Sequence, residues 1–295
     1  MRKKLKIAIL GTGNIGTDLL IKSLRSELLE CTLFAGRNLN SPGMQKARDL
    51  GVNVSSNGIN SILENPAICD LVFDCTSAVS HEMHSEILSS LSITVINLTP
   101  AKAGEFCVPV INGVECVDLK VPNFNMVTCG GQATIPIAYA ISQVQKEIDY
   151  LEVASTIASR SAGPATRENL DEYIETTQNA LIKFSGAKRT KAILILNPAI
   201  PPVDMLTTVY ARVRNPNIES IRKSVLKIVS SINRYVPRYQ IVIPPVIERD
   251  SIVTSIKVIG AGDYLPSYAG NLDIINCSAI SIAEQLALRD EIAKV

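Results

Sequence analysis

The sequence predicts an α/β protein in two parts: an N-terminal parallel sheet with crossover helices, followed by an α+β half. Three observations predict this. As far as Val127, short apolar runs alternate with helical patterns, the sequence form of repeated strand-helix-strand units. Those runs are apolar almost throughout, as strands covered on both faces are. After Cys129 the segments lengthen and the alternation stops, which points to helices on one face of a mixed or antiparallel sheet. A chain of 295 residues is long for one core and short for three.

In chain order, the apolar runs predict strands at residues 6–10, 32–35, 71–74, 94–97 and 124–127, with helices at 14–26, 43–50 and 79–91 between them. The second half predicts a helix at 135–147, strands at 150–158, 192–196, 206–213 and 251–259, and helices at 167–184 and 217–233. Ile274, Ala279, Ile282, Leu286 and Ala293 recur at helical spacing. The segment 273–295 is therefore expected to pack back on a first domain of residues 1–128, leaving 129–272 as the second domain.

Composition excludes several classes. Hydrophobic residues make up 46% and charged residues 19%, and 29 basic residues face 28 acidic ones for a net charge of +1. No basic run or aromatic stripe suits nucleic acid. The apolar run from Leu5 to Leu10 is too short to span a bilayer and leads straight into a glycine turn, so neither a membrane segment nor a signal peptide is expected. Seven cysteines without a CxxC pair fit reduced thiols, hence the cytoplasm. His81 and His84 are spaced HxxH but have no accompanying ligand cluster. They are read as the solvated start of a helix, and no metal is expected.

Directly after the first strand comes Gly11-Thr12-Gly13-Asn14-Ile15-Gly16, a GxGxxG that opens a helix. Gly11 permits the tight turn, Gly13 admits a pyrophosphate to the backbone, and Gly16 lets helix and strand close together. The helix start adds amide donors for phosphate. This predicts a Rossmann-type dinucleotide site. The next strand ends at Gly36-Arg37, where an acidic ribose contact would mark NAD. Arg37 can pair with a 2′-phosphate, which favours NADP; stacking on adenine, or simple solvation, is the other reading of it.

Cys129 follows an apolar strand and precedes Gly130-Gly131-Gln132, close to a predicted helix start. That setting favours thiolate, the reactive form. On physics alone, a cysteine in such a turn is more often inert than catalytic.

Further motifs resolve the choice by resemblance: Asp74-Cys-Thr-Ser-Ala78, the block from Asn123 through Cys129 to Pro136, Ser161-Ala162-Gly163-Pro164-Ala165-Thr166-Arg167-Glu168-Asn169, and Tyr268-Ala-Gly-Asn271-Leu-Asp-Ile274. With the glycine turn, these resemble the acylating acetaldehyde dehydrogenases over almost the whole chain. The resemblance implies a Rossmann domain joined to a catalytic and dimerisation domain. NAD would be held by Thr12 to Ile15, with Ser161 to Asn169 and Asn271 completing the site. Cys129 would attack a small aldehyde to form a hemithioacetal, and coenzyme A would resolve the resulting thioester. It further implies a homodimer, and a class II 4-hydroxy-2-oxoacid aldolase as partner.

Three departures stand out. Where the family usually reads Arg-Asp before Thr-Val-Tyr, this chain has Leu206-Thr207 before Thr208, and threonine is no base at neutral pH. The stretch between Val236 and Tyr264 is shorter than in aldolase-coupled enzymes, and Arg37 stands where the acid is expected. Two alternatives follow. One is a phosphorylating semialdehyde-type reductase, which would need a histidine at the cysteine although none follows Cys129. The other is a catalytically weakened dinucleotide-binding relative.

Overall fold

The first strand, β1 (Leu5–Leu10), is LKIAIL, and its last four side chains are buried. In the computed structural model, which describes residues 3–292, β1 lies near the middle of a seven-stranded sheet. The other strands are β2 (Leu29–Ala35), β3 (Val54–Ser55), β4 (Leu71–Asp74), β5 (Thr94–Asn97), β6 (Glu105–Phe106) and β7 (Asn123–Asn125). Their order is β3-β2-β1-β4-β5-β7-β6, and every pair is parallel. The helices between them are α1 (Asn14–Ser23), α2 (Pro42–Asp49), α3 (Asn60–Glu64), α4 (Ala78–Ser90) and α5 (Pro109–Asp118). Ser41 caps α2 and Ser77 caps α4, each accepting a bond from the amide three residues on. The chain leaves β1 for one side of the sheet and returns on the other at β4, so the carboxyl ends of β1 and β4 flank a topological switch point.

Met126 closes this unit, which also includes the residues from Asn276 onward. The second unit, Val127 to Ile275, holds α6 (Cys129–Ser142), β8 (Ile148–Ala158), α7 (Pro164–Glu168), α8 (Leu170–Ser185), β9 (Thr190–Asn197), β10 (Met205–Val213), α9 (Ile218–Ile232), β11 (Tyr239–Glu248) and β12 (Ser251–Val258). The last helix, α10 (Gly270–Ile292), starts here and supplies its later turns to the first unit. The second sheet runs β11-β12-β10-β8-β9. Only β8 and β9 are parallel, so the sheet is mixed. Helices α6, α8 and α9 pack together beside it. Along β10 burial alternates: Thr207, Val209 and Ala211 are buried, while Leu206, Tyr210 and Arg212 are exposed. Leu206 pairs with Thr156, and Thr156 with Ile195, so exposed apolar groups share one sheet face.

Several expectations are corrected. The helix anticipated at 135–147 begins at Cys129, because Thr128 caps it by accepting from the Gly131 amide at 2.9 Å and the chain stays helical through Pro136. Proline there lacks only the amide that would have reached Gln132. Strand β7 stops at Asn125, since Val127 takes a left-handed backbone with φ of 61°. The single helix expected at 167–184 is two, broken at Asn169, and the first starts at Pro164, a residue suited to a helix's first position. Strand β11 and helix α5 escaped the sequence reading. Ala293 lies outside the described residues.

His81 and His84 are not solvated. Both are buried on α4, and each directs Nδ1 to Oδ2 of Asp74 at 2.9 Å. Asp74 Oδ1 accepts from the Thr76 amide at 3.0 Å. Burial pushes the Asp74 carboxyl up, but the bonds from His81 and His84 outweigh it and hold the group well below the usual carboxylate range. Asn123 donates to Nε2 of His81 at 3.0 Å, which fixes that ring as donor through Nδ1.

Candidate active site and dinucleotide crevice

The crevice belongs to the first unit. Gly11 has φ of 99° and donates its amide to Ala35 at 2.9 Å, binding the turn after β1 to the end of β2. Around Gly13 a side chain would meet nothing within 4 Å, so the backbone is open to a bulky ligand there. Gly13 caps α1 without a side-chain bond, and no acidic residue lies in the first turn. The amides of Asn14, Ile15 and Gly16 therefore face outward at the positive end of the helix, as an anion requires. Thr12 packs against Gly36 and its hydroxyl lies 3.3 Å from that of Ser41. Arg37 follows and is exposed, and residues 36–41 contain no acid.

The thiol belongs to the second unit. Cys129 is the first residue of α6 and is partly exposed as a residue, while its thiol is desolvated. Tyr173, buried on α8, brings its hydroxyl to 3.7 Å from this sulfur and accepts the Gly130 amide at 2.9 Å. A side chain at Gly130 would collide with that hydroxyl. Burial pushes the Cys129 thiol above its ordinary value, while bonds from Tyr173 and from the amides of Gly130 and Cys129 itself pull it back. The helix start thus moderates the effect of burial without reversing it, which corrects the expectation of a thiolate made by the helix field.

Ser161 to Asn169 form a turn that leads to the same tyrosine. Ser161 is buried and donates to the Ala158 carbonyl at 2.8 Å, and the Ala162 amide donates to Ser159 at 3.3 Å. Gly163 caps α7, where Pro164, Thr166 and Glu168 follow; the Ala165 side chain lies outside the described residues. Arg167 folds back on the turn, donating to the Ala162 carbonyl at 3.2 Å and to the Ser159 carbonyl at 2.8 Å. Asn169 is buried, and its carbonyl accepts the Tyr173 amide at 3.0 Å. Asn271, in the first turn of α10, is buried with its carbonyl oxygen lacking any hydrogen-bond partner. Such an atom costs stability unless a ligand supplies the donor.

Tyr173 is the functional candidate that the sequence reading missed. The motif that ends at Asn169 stops one helical turn short of it. Thr207, where the family carboxylate is expected, is buried and donates to Ser155 at 3.1 Å. Asp204 pairs with Lys257 at 3.7 Å instead of replacing it.

Residues 129–266 match the family described as prokaryotic acetaldehyde dehydrogenase, dimerisation. The chain is 59% identical over 287 residues to an acetaldehyde dehydrogenase of Pectobacterium atrosepticum, covering 97% of both chains. It is 54% identical over 285 residues to that of Spirochaeta aurantia, covering 97% of this chain and 95% of the relative. In fold it is similar to aspartate semialdehyde dehydrogenase II from Vibrio cholerae, with a TM-score of 0.64 at 13% identity, covering 98% of this chain and 99% of that one. At near-complete coverage and such identity the chain belongs to the acylating acetaldehyde dehydrogenase family, a family of aldehyde-oxidising oxidoreductases.

Proposed function

We propose that this protein oxidises a short-chain aldehyde to an acyl-coenzyme A, with Cys129 as the nucleophile. The observation that carries the reading is the placement of Cys129: a partly exposed residue at the start of α6, its thiol hydrogen-bonded by Tyr173 and beside two glycines. Its thiolate attacks the carbonyl carbon, a C–S bond forms, and the carbonyl electron pair moves to oxygen. A nicotinamide dinucleotide supplies the two-electron acceptor. Cys129 carries the carbon skeleton before oxidation as a hemithioacetal and after it as a thioester. Attack by the coenzyme A thiol then forms the new C–S bond and returns the Cys129 thiolate.

The residues fit the dinucleotide. The open backbone at Gly13 and the free amides of α1 suit a pyrophosphate, with Thr12 beside them, and the orphaned oxygen of Asn271 suits an amide donor such as a carboxamide. Arg37 leaves NADP tolerated beside NAD. Neither histidine supports the phosphorylating alternative, because both are bound to Asp74 within the first unit. The uncovered sheet face with Ile195, Leu206 and Tyr210 supports a homodimer formed through the second unit. An aldolase partner and a cytoplasmic setting complete the reading.

The test incubates the protein with acetaldehyde or propanal, coenzyme A or phosphate, and each nicotinamide cofactor, reading absorbance of the reduced form. Coenzyme A-dependent reduction that vanishes in Cys129→Ser, with cofactor binding retained, is expected. Phosphate-dependent turnover, or more than a few per cent of the rate in the variant, would overturn the reading.

A further inference from the structure

Reactive thiols are usually activated by a charged neighbour, such as a histidine or lysine. Among the described residues of its unit no such group acts on Cys129: those that do are the Tyr173 hydroxyl and the amides of residues 129 and 130. The nearby elements present neutral side chains: Thr177 from α8, Ser155 from β8, and Thr207 from β10 bonded to Ser155. The acids at the start of α8, Asp171 and Glu172, are in contact with solvent.

Counting protons gives the direction of each bond. Thr177 donates its hydroxyl to the Tyr173 carbonyl at 2.7 Å. Its oxygen is then the acceptor for Thr128, also at 2.7 Å. The Thr128 oxygen in turn accepts the Gly131 amide at 2.9 Å. Tyr173 accepts the Gly130 amide at its phenol oxygen. Thr128 is also within hydrogen-bond reach of the phenol, but its proton goes to Thr177 and its oxygen takes the Gly131 amide, so the phenol proton is directed to sulfur at 3.7 Å, within reach for so large an atom.

We propose that Tyr173 takes the place of a charged partner: its hydroxyl donates to the Cys129 sulfur and stabilises the thiolate formed there when the thiol proton leaves. This rests on the reading of Cys129 as nucleophile. Tyr173 keeps its own proton, and the thiol proton leaves to another acceptor, so tyrosine is a hydrogen-bond donor and not a base. Burial and the neighbouring thiol push the Tyr173 hydroxyl well above its ordinary value, which keeps it protonated wherever the enzyme works. The same oxygen, anchored by the Gly130 amide, fixes the first turn of α6 and with it the direction of the sulfur.

The test measures Cys129 alkylation by iodoacetamide against pH, mapped by peptide mass to separate it from the other six cysteines. Tyr173→Phe keeps the ring and removes the donor. Its Cys129 profile is expected to move up by about one pH unit, with alkylation roughly tenfold slower at neutral pH. An unchanged profile in the folded variant would overturn the proposal. Should the variant not fold, the wild type decides, because the chain has eight tyrosines and no tryptophan. A near-ultraviolet tyrosine difference band should titrate together with Cys129 alkylation and be missing from Cys129→Ser; no such band overturns the proposal. Neither readout depends on turnover, so activity surviving in Cys129→Ser would defeat the nucleophile reading separately.

Discussion

A side chain at Gly11 would begin 2.5 Å from the carbonyl oxygen of Cys75. The two residues follow β1 and β4, and the Cys75 amide donates to Leu10 at 2.7 Å, so the turns on either side of the switch point are in contact. Gly11 also holds a φ of 99°, a conformation that penalises any other residue.

Gly11→Ala is expected to lose about 2 to 4 kcal/mol of stability, from the backbone penalty and the collision together. Dinucleotide affinity should fall as the turn moves. Thermal unfolding with and without cofactor checks both effects. An unshifted midpoint with full affinity would show that the turn can relax at no cost.

Asp74→Asn should destabilise the first unit by about 3 kcal/mol at neutral pH, since it removes a buried charge that two histidines contact. The sign follows from the direction of the shift. The folded carboxyl is held below its unfolded value, so its stabilisation is complete above the unfolded value near ~4 and fades as pH falls below it. Urea unfolding at pH 7 and at pH 3 should therefore show a wide gap between wild type and variant that narrows in acid. A gap independent of pH would assign the loss to packing.

Asn271→Ala should weaken cofactor binding about tenfold, on the scale of ~1.4 kcal/mol for one well-placed polar contact. In the free protein the variant should be no less stable, because the deleted oxygen has no partner to lose. Calorimetric titration with the cofactor separates the two. Unchanged affinity would make Asn271 a structural residue.

Arg37→Asp should shift preference towards NAD. A 2′-phosphate paired with a guanidinium gains roughly 1.5 to 3 kcal/mol, or ~10-fold to 100-fold in affinity, and no acid between residues 36 and 41 opposes it. Dissociation constants for both cofactors, in wild type and variant, decide the matter. Strict NAD binding by wild type would mean that Arg37 points away from the ribose.

The first sheet was legible because parallel strands buried on both faces are written as unbroken apolar runs; β4 and β5 begin and end where those runs do. The glycine turn was legible because each glycine answers a local backbone demand. The start of α6 was hidden, since Gly130 and Gly131 disfavour helix and Pro136 imitates a first-turn residue. Strand β11 was hidden by Pro244 and Pro245. Partnerships across long sequence distances left no local trace at all. Cys129 was named, but Tyr173 lies 44 residues away, and the buried carboxylate beneath His81 and His84 shows only once α4 is folded onto β4.

The two prolines in β11 have a consequence for how the protein avoids aggregating. β11 is an outer strand of the second sheet and pairs only with β12. A sheet with one uncovered apolar face and an open edge invites other chains to join it laterally and grow into fibres. Residues 244 and 245 offer no amide hydrogens to an incoming strand. A strand joining at this edge finds no amide donors at these two positions, which discourages lateral growth there.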